Sequence, residues 1–234
     1  MHPNDRRSFL KQTGLALIGT SALESLAAAQ KKHQGPNKEK EEEVTPVEDL
    51  GREHGLLNRV LLIYDESGRR LHANANFDPE SLADAAGIIQ KFIESYHEKL
   101  EEDYLFPRFE KAHKLTDLVG VLRQQHQAGR TVTGQILQLT NANSLKNAGD
   151  REKLTNSLNA FVRMYRPHEA REDTILFPAI RSIVSEHEYD SLGEEFEKKE
   201  HELFGKEGFE GMLDKVEGIE KNLGIYDLSQ FTPR

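Results

Sequence analysis

The chain carries one block of eleven residues twice. His97–Pro107 returns as His168–Pro178, 71 residues later, with Glu at the second and fifth positions and Leu-Phe-Pro at the end. One further histidine precedes each block by about the same distance, His54 before the first and His126 before the second. A duplicated set of residues at constant spacing is typical of a fold built from copies of one supersecondary unit. The sequence therefore predicts two equivalent halves, each a helical hairpin.

The hydropathy pattern of both halves is helical. Apolar residues recur at spacings of three and four, as on one face of an α-helix, in segments near residues 47–64, 79–112, 115–140 and 151–186. A further segment, near 188–222, is helical in part, with interruptions at Gly205, Gly208 and Gly211. No stretch alternates apolar and polar residues for long enough to predict a strand. The pattern predicts an all-α fold, an antiparallel four-helix bundle with an additional C-terminal helical segment.

Six histidine and glutamate side chains, of types that commonly bind metals, fall on the predicted core faces of these helices. Residues four apart share one face, so His97 points the same way as Glu101, and His168 the same way as Glu172. Burial of a carboxylate without compensation is costly, and a pair of divalent metal ions supplies that compensation. The candidate metal ligands are His54, His97, Glu101, His126, His168 and Glu172.

The lack of cysteine narrows the metal chemistry. The chain has no Cys, which excludes disulfides, iron–sulfur clusters and thiolate zinc sites. Nitrogen and oxygen ligands with open positions suit iron or manganese, and zinc would also bind. The sequence thus predicts two metal ions held by histidine and carboxylate alone.

Over residues 47–186 the sequence resembles the hemerythrin-like, or HHE cation-binding, family. The two His-Glu blocks with their Leu-Phe-Pro ends carry the resemblance. It implies two iron ions in a non-haem di-iron centre, held by histidines from four helices and by bridging carboxylates. The oxygen-carrying members have a second histidine one turn after the third-helix ligand, where this chain has Arg130. They also use an Asp five residues after the last histidine, so Asp173 is the alternative to Glu172.

The N-terminus has the order of an export signal. Arg6 and Arg7 precede a short apolar run at residues 14–23, and three alanines follow at 27–29. A charged start, an apolar core and small residues are typical of such signals. The paired arginines resemble a twin-arginine signal, which implies a periplasmic or otherwise exported protein. An amphipathic first helix is the alternative interpretation.

Charge and hydropathy limit the partners. The net charge is −9, which argues against nucleic acid, because its binding depends on Lys and Arg neutralising phosphates. No segment is long and apolar enough to predict stable membrane insertion. The predicted organisation is an export signal (1–29), a charged flexible tether (30–46), the bundle (47–186) and a C-terminal helical extension (187–234).

The sequence leaves several functions open and assigns no catalytic residue. The chain is expected to bind oxygen, nitric oxide or iron for carriage, sensing or stress protection, so a small diatomic ligand or peroxide is its expected partner. A sensor would need a protein partner, for which the C-terminal segment offers a contact. The alternatives are a di-iron oxidoreductase that reduces peroxide, oxygen or nitric oxide with an external electron donor, or a bundle that uses metal for stability alone. Gly129 and Thr133, which follow His126 on its own face, leave either a pocket for a diatomic ligand or room for close helix packing.

Overall fold

A computed structural model describes residues 44–75 and 78–233. Within these residues the elements are helices and there is no strand, so the predicted fold class is confirmed. The predicted export signal and residues 30–43 of the predicted tether lie outside the described residues. The last residues of that tether already belong to the first helix and its cap.

Helix α1 spans Pro46–His72. A capping box fixes its start: Thr45 Oγ1 accepts a hydrogen bond from the Glu48 amide, and Glu48 Oε2 accepts one from the Thr45 amide at 2.9 Å. The helix continues well past the end predicted near residue 64, because its last turns bury Gly68 and Leu71. Tertiary packing therefore extends a helix whose local sequence looks polar.

Helix α2 covers residues 79–111. Asp78 caps it by accepting from the amides of Glu80 and Ser81. Along α2, α-helical turns alternate with wider π-helical turns; the α-helical parts are Pro79–Ile88, Glu98–Leu100 and Phe106–Lys111, and the π-helical parts are Ile89–His97 and Glu101–Leu105. π-Helical turns are rare and frequently lie at functional sites.

Helix α3 spans Thr116–Leu139, and a short helix at Ala142–Lys146 connects it to α4. Helix α4 covers residues 148–180. Its parts are an α-helix at Ala148–Arg171, a π-helical turn at Glu172–Leu176 and a last α-helical turn at Phe177–Ile180. The π-helical turns at Glu101–Leu105 and Glu172–Leu176 occupy the same place in the repeated block, so the repeat extends to backbone geometry.

The four helices pack as a bundle in which α1 and α3 each lie between α2 and α4. Two further helices, α5 (Glu186–Phe204) and α6 (Gly208–Leu223), pack against α1 and α2. They are separated at Gly205, whose φ of 59° favours glycine, whereas Gly211 continues inside α6. Both helices contribute buried side chains to the common core, among them Phe196 of α5 and Val216 of α6. No helix in the described part of the chain has an apolar stretch that could cross a membrane.

Candidate metal centre

The six candidate ligands meet in the middle of the bundle. Each of α1 to α4 contributes one histidine, and α2 and α4 each add one glutamate. All six are at least 96% buried; they are His54, His97, Glu101, His126, His168 and Glu172. Residues separated by more than a hundred positions in the chain thus form one polar cluster inside an apolar core.

The four histidines form two pairs that face each other through their Nε2 atoms. His54 and His97 place these atoms 3.1 Å apart, and His126 and His168 place theirs 3.2 Å apart. Two imidazole nitrogens that bind one ion at about 2.1 Å, at an angle between right and tetrahedral, lie about 3.0–3.4 Å apart. Each pair therefore has the spacing of two ligands on a single metal ion.

Glu172 lies between the two histidine pairs. Its Oε2 is 3.4 Å from Nε2 of His54, and its Oε1 is 3.1 Å from Nε2 of His168. Glu101 spans the same gap from the opposite helix, with Oε2 3.9 Å from Nε2 of His97 and 3.4 Å from Nε2 of His126. Each carboxylate thus reaches both pairs, which is the arrangement that a carboxylate bridging two ions requires.

The oxygens of these two glutamates are orphaned. Among the described residues, no group makes a hydrogen bond to either oxygen of Glu101 or of Glu172, although all four atoms are buried. Buried carboxylates without hydrogen bonds are strongly destabilised unless a cation compensates them. The donor set and its orphaned oxygens therefore fit a pair of divalent ions.

The outward nitrogen of every candidate histidine donates a hydrogen bond. Nδ1 of His97 donates to Glu53 at 2.8 Å, and Nδ1 of His168 donates to Gln125 at 2.9 Å. The acceptors for the other two are Asp173 for His54, at 2.8 Å, and Glu102 for His126, at 3.1 Å. A histidine that donates through Nδ1 presents the Nε2 lone pair to a metal, and such outer hydrogen bonds fix the ring and strengthen the ligand.

These contacts follow the internal repeat in a crossed pattern. Glu53 and Gln125 directly precede His54 and His126. Each accepts a hydrogen bond from the histidine on the second helix of its own hairpin. The residue after each candidate glutamate, Glu102 or Asp173, bonds to a histidine of the other hairpin. Equal offsets in the two halves are the sequence signal that identifies these four outer residues, which our sequence analysis did not assign to the site, except for Asp173.

The Leu-Phe-Pro ends of the repeated blocks contact the same centre. Phe177 stacks on the ring of His54 with centroids 5.3 Å apart, and Phe106 stacks on His126 at 5.6 Å. Both phenylalanines are buried. Each aromatic ring therefore holds a histidine of the opposite hairpin in place and keeps water from that side of the cluster.

Burial and the contacts between histidines and carboxylates together set the protonation of the cluster. It lowers the pKa of His97 to about 4, so this imidazole is neutral at pH 7 and keeps its lone pair. Burial raises the pKa of Glu101, and the charge of Glu172 raises it further. Contacts with glutamates outweigh burial at His126 and raise its pKa to about 10, and nearby histidines lower the pKa of Glu172 against its burial. A shared cation would take the place of these protons.

Arg130 and Asp173 stand where the resemblance places ligands of the oxygen carriers. In this structure both make contacts on the outer side of the cluster of six candidate ligands. Arg130 makes ion pairs with Glu98 and Glu102, each at 2.7 Å. Asp173 lies on the Nδ1 side of His54, with 43% of its side chain exposed, whereas Glu172 is fully buried on the Nε2 side. The geometry therefore favours Glu172 over Asp173 as the inner carboxylate.

The space beside Gly129 is used for packing. A Cβ at Gly129 would overlap the Tyr165 hydroxyl and lie 2.9 Å from two ring carbons. Tyr165 is buried and donates a hydrogen bond to Glu98 Oε1 at 2.6 Å. Burial and the charge of Glu98 hold the pKa of Tyr165 well above its ordinary value, so the phenol keeps its proton. Of the two readings of Gly129, close packing is the one observed.

Helix α5 also reaches this outer layer. Asp49, Glu53 and Glu200 are buried, and each places a carboxylate oxygen within 4.8 Å of the others. Glu200 Oε1 accepts a hydrogen bond from the Phe209 amide at 2.5 Å. Glu53 in turn accepts a hydrogen bond from His97. A single residue, Glu53, therefore connects α5 to a candidate ligand. No local pattern in the sequence indicates this contact.

Comparison with known proteins agrees with the geometry. A family model described as the hemerythrin HHE cation binding domain matches residues 45–179. Uncharacterized proteins of Mycobacterium bovis and Mycobacterium tuberculosis are 51% identical to the chain over 195 residues, which is 83% of this chain and 76% of each relative. No solved structure gives a significant match. The family match covers α1 to α4, so α5 and α6 lie outside it.

Proposed function

Because the chain belongs to the hemerythrin HHE cation-binding family, we propose that its bundle holds two iron ions and binds a small molecule at them. The small molecule is oxygen, nitric oxide or peroxide, and the role is protection against such molecules or their capture. His54 and His97 would hold one ion, His126 and His168 the other. Glu101 and Glu172 would bridge the two.

One observation carries this proposal. Four Nε2 atoms and two orphaned carboxylates converge in one buried cluster, while every Nδ1 of the same histidines is already used by an outward hydrogen bond. The inward nitrogens thus face one another and the two carboxylates, as they would around bound ions. Two histidines and two bridging carboxylates give each ion four protein ligands, so positions are left for an added molecule.

The donor set supports iron as the metal. Nitrogen and oxygen donors without sulfur suit iron, with manganese and zinc as the competing ions. Bound iron would supply open coordination positions and redox chemistry. The chain itself orients the four imidazoles through their Nδ1 hydrogen bonds and excludes water with Phe106 and Phe177.

The presence of Arg130, where oxygen carriers have a histidine, favours a protective role over reversible oxygen carriage. Its guanidinium is engaged by Glu98 and Glu102 and cannot serve as a ligand, since it stays protonated. The cluster then keeps four histidines and two carboxylates. The resemblance links this smaller set to family members that handle nitric oxide, oxidative stress or iron.

Metal analysis tests the proposal. Protein produced with iron supplied should hold about two iron atoms per chain, and Glu101→Ala should lose most of it. Glu152→Ala, at an exposed position of α4, is the matched control and should keep both ions. Fully helical protein that never contains metal would contradict the proposal, as would unchanged iron in Glu101→Ala.

Optical titration then separates binding from turnover. Iron-loaded protein exposed to nitric oxide or peroxide should change its absorption spectrum in a saturable way. Consumption of either molecule with an added electron donor would identify an oxidoreductase. A spectrum that responds to neither molecule would leave iron as a stabilising ion only.

A further inference from the structure

The two halves of the centre differ in the side chains that follow the histidines of α1 and α3. In α1, Leu57 and Leu61 follow His54 by three and seven residues, and both are buried. In α3 the same offsets from His126 carry Gly129 and Thr133. The faces of a helix at i+3 and i+7 lie one and two turns along the same side. Helix α3 therefore leaves more room next to its histidine than α1 does.

Tyr165 fills that room. It precedes His168 by one turn of α4, and the two rings have centroids 5.3 Å apart. Its hydroxyl lies where a Cβ of residue 129 would be. The ring thus stands beside the His126–His168 pair, in space that a molecule approaching that pair from this side would need.

Several contacts hold Tyr165 in this position. Its hydroxyl donates to Glu98 Oε1, and Glu98 Oε2 makes an ion pair with Arg130 at 2.7 Å. Its ring stacks on Phe161 with centroids 4.2 Å apart. Hydrogen bonds to charged groups are stronger than those between neutral groups, so the ring has one well-defined place.

The surroundings of Tyr165 are polar as well as tight. Glu94 of α2 and Thr133 of α3 are both buried here and lie within reach of each other. The corresponding side of α1 offers the apolar Leu57 and Leu61 instead. Small polar molecules are thus better accommodated on the α3 side.

We propose that Tyr165 is a specificity-determining residue that limits the size of the molecules able to reach the metal position of His126 and His168. The inference rests on the proposed metal centre. Diatomic molecules and peroxide pass or fit beside the phenol, whereas larger ligands are excluded by the ring. Gly129 is required because any side chain there would displace the phenol.

Ligand titrations on iron-loaded protein test this inference. The probes are azide and the larger imidazole, followed by absorption, together with iron content and thermal melting of each variant. Tyr165→Ala should bind both probes at least about tenfold more tightly than the wild type, with the larger gain for imidazole. Tyr165→Phe keeps the ring and should stay within about twofold. Tyr189→Ala removes another buried tyrosine, from α5, and should leave both affinities unchanged.

The outcomes separate this inference from the proposed function. Wild-type protein that takes up no iron refutes the metal centre itself. Iron-loaded Tyr165→Ala with wild-type affinities refutes the size limit alone, and so does an equal gain in Tyr165→Phe, which would assign control to the hydrogen bond with Glu98. If Tyr165→Ala does not fold, Tyr165→Leu, which shortens the side chain, should show the same gain, and its failure to do so counts against the inference.

Discussion

Asp173 and Glu172 contact opposite nitrogens of the same imidazole. Asp173 Oδ1 accepts a hydrogen bond from Nδ1 of His54 at 2.8 Å, while Glu172 Oε2 lies 3.4 Å from Nε2 of that ring. Successive residues of a helix point about 100° apart, and here that angle places one acid outside the cluster and its neighbour inside. Two adjacent carboxylates therefore have different roles at one histidine.

This difference predicts the metal content of two variants. Asp173→Ala should weaken iron binding yet retain most of the iron when iron is in excess, because it removes an outer hydrogen bond and no candidate ligand. Glu172→Ala should lose or scramble the ions, because it removes a carboxylate that we propose bridges them. Iron analysis and thermal melting, with and without a chelator, provide the measurement. If Asp173→Ala contains no iron while Glu172→Ala keeps its iron, α4 follows the oxygen-carrier pattern instead.

A second prediction concerns the outer contact of His168. Gln125→Ala removes the acceptor of its Nδ1 proton and should lower iron affinity about 10–100-fold, the usual effect of losing such a partner. Gln125→Glu should retain the wild-type affinity or exceed it, since Glu53 serves His97 in the same way. Competition with a chelator measures both. Gln124→Ala, at the exposed neighbouring position, is the control, and equal loss in the control would refute the assignment.

The third prediction is a pH dependence of folding stability. Burial raises the pKa of Glu94 from 4.5 to about 7, so the folded chain favours the protonated acid. Below pH 4.5 both states are protonated and the cost is absent; it grows as pH rises and is complete above pH 7. Glu94→Gln should therefore raise the free energy of unfolding by about 1–3 kcal/mol at pH 8.

Denaturant unfolding of the metal-free protein between pH 4.5 and 8 measures this effect. The gain from Glu94→Gln should shrink steadily as the pH falls and disappear at the acidic end. Glu152→Gln, which changes an exposed glutamate of α4, should show no such trend. A gain that stays constant over the whole range would attribute the effect to packing rather than to ionisation.

A fourth prediction concerns export, which rests on sequence alone. Protein recovered from the periplasm of a bacterial host should begin close after Ala29, as measured by mass spectrometry. Replacing Arg6 and Arg7 together by lysine should stop export, whereas Lys31→Gln, beyond the predicted cleavage site, should not. An intact Met1 on mature cytoplasmic protein would show that the N-terminus has another role.

Most of the architecture could be predicted because it depends on local periodicity. The stripes of apolar residues give the four helices of the bundle and the break at Gly205. The end of α1 was wrong for a physical reason: residues 65–70 look polar, yet Gly68 is buried and lies 3.8 Å, measured from a Cβ position, from Asn159 of α4. Helix packing, which no local pattern records, extends α1 to His72.

The inner cluster was accessible from the sequence and its outer layer was not. The six candidate ligands share the core faces of their helices, and the structure brings them together; their role as ligands stays a prediction. Glu53 and Gln125 sit beside histidines in sequence, but their acceptor roles depend on which helix lies opposite. Glu200 reaches Glu53 only because α5 folds back over α1, a relationship that has no signal within either segment.

The crossed contacts have a consequence for assembly. Phe177 and Asp173 of the second hairpin hold His54 of the first, and Phe106 of the first holds His126 of the second. Neither hairpin can complete its own ligand cluster, but each presents what a twin of itself would need. A single hairpin of this type would form its site only by dimerising about a twofold axis, with the metal ions on that interface. In this chain the segment that includes Ala142–Lys146 links the two hairpins, so their encounter is intramolecular rather than diffusional.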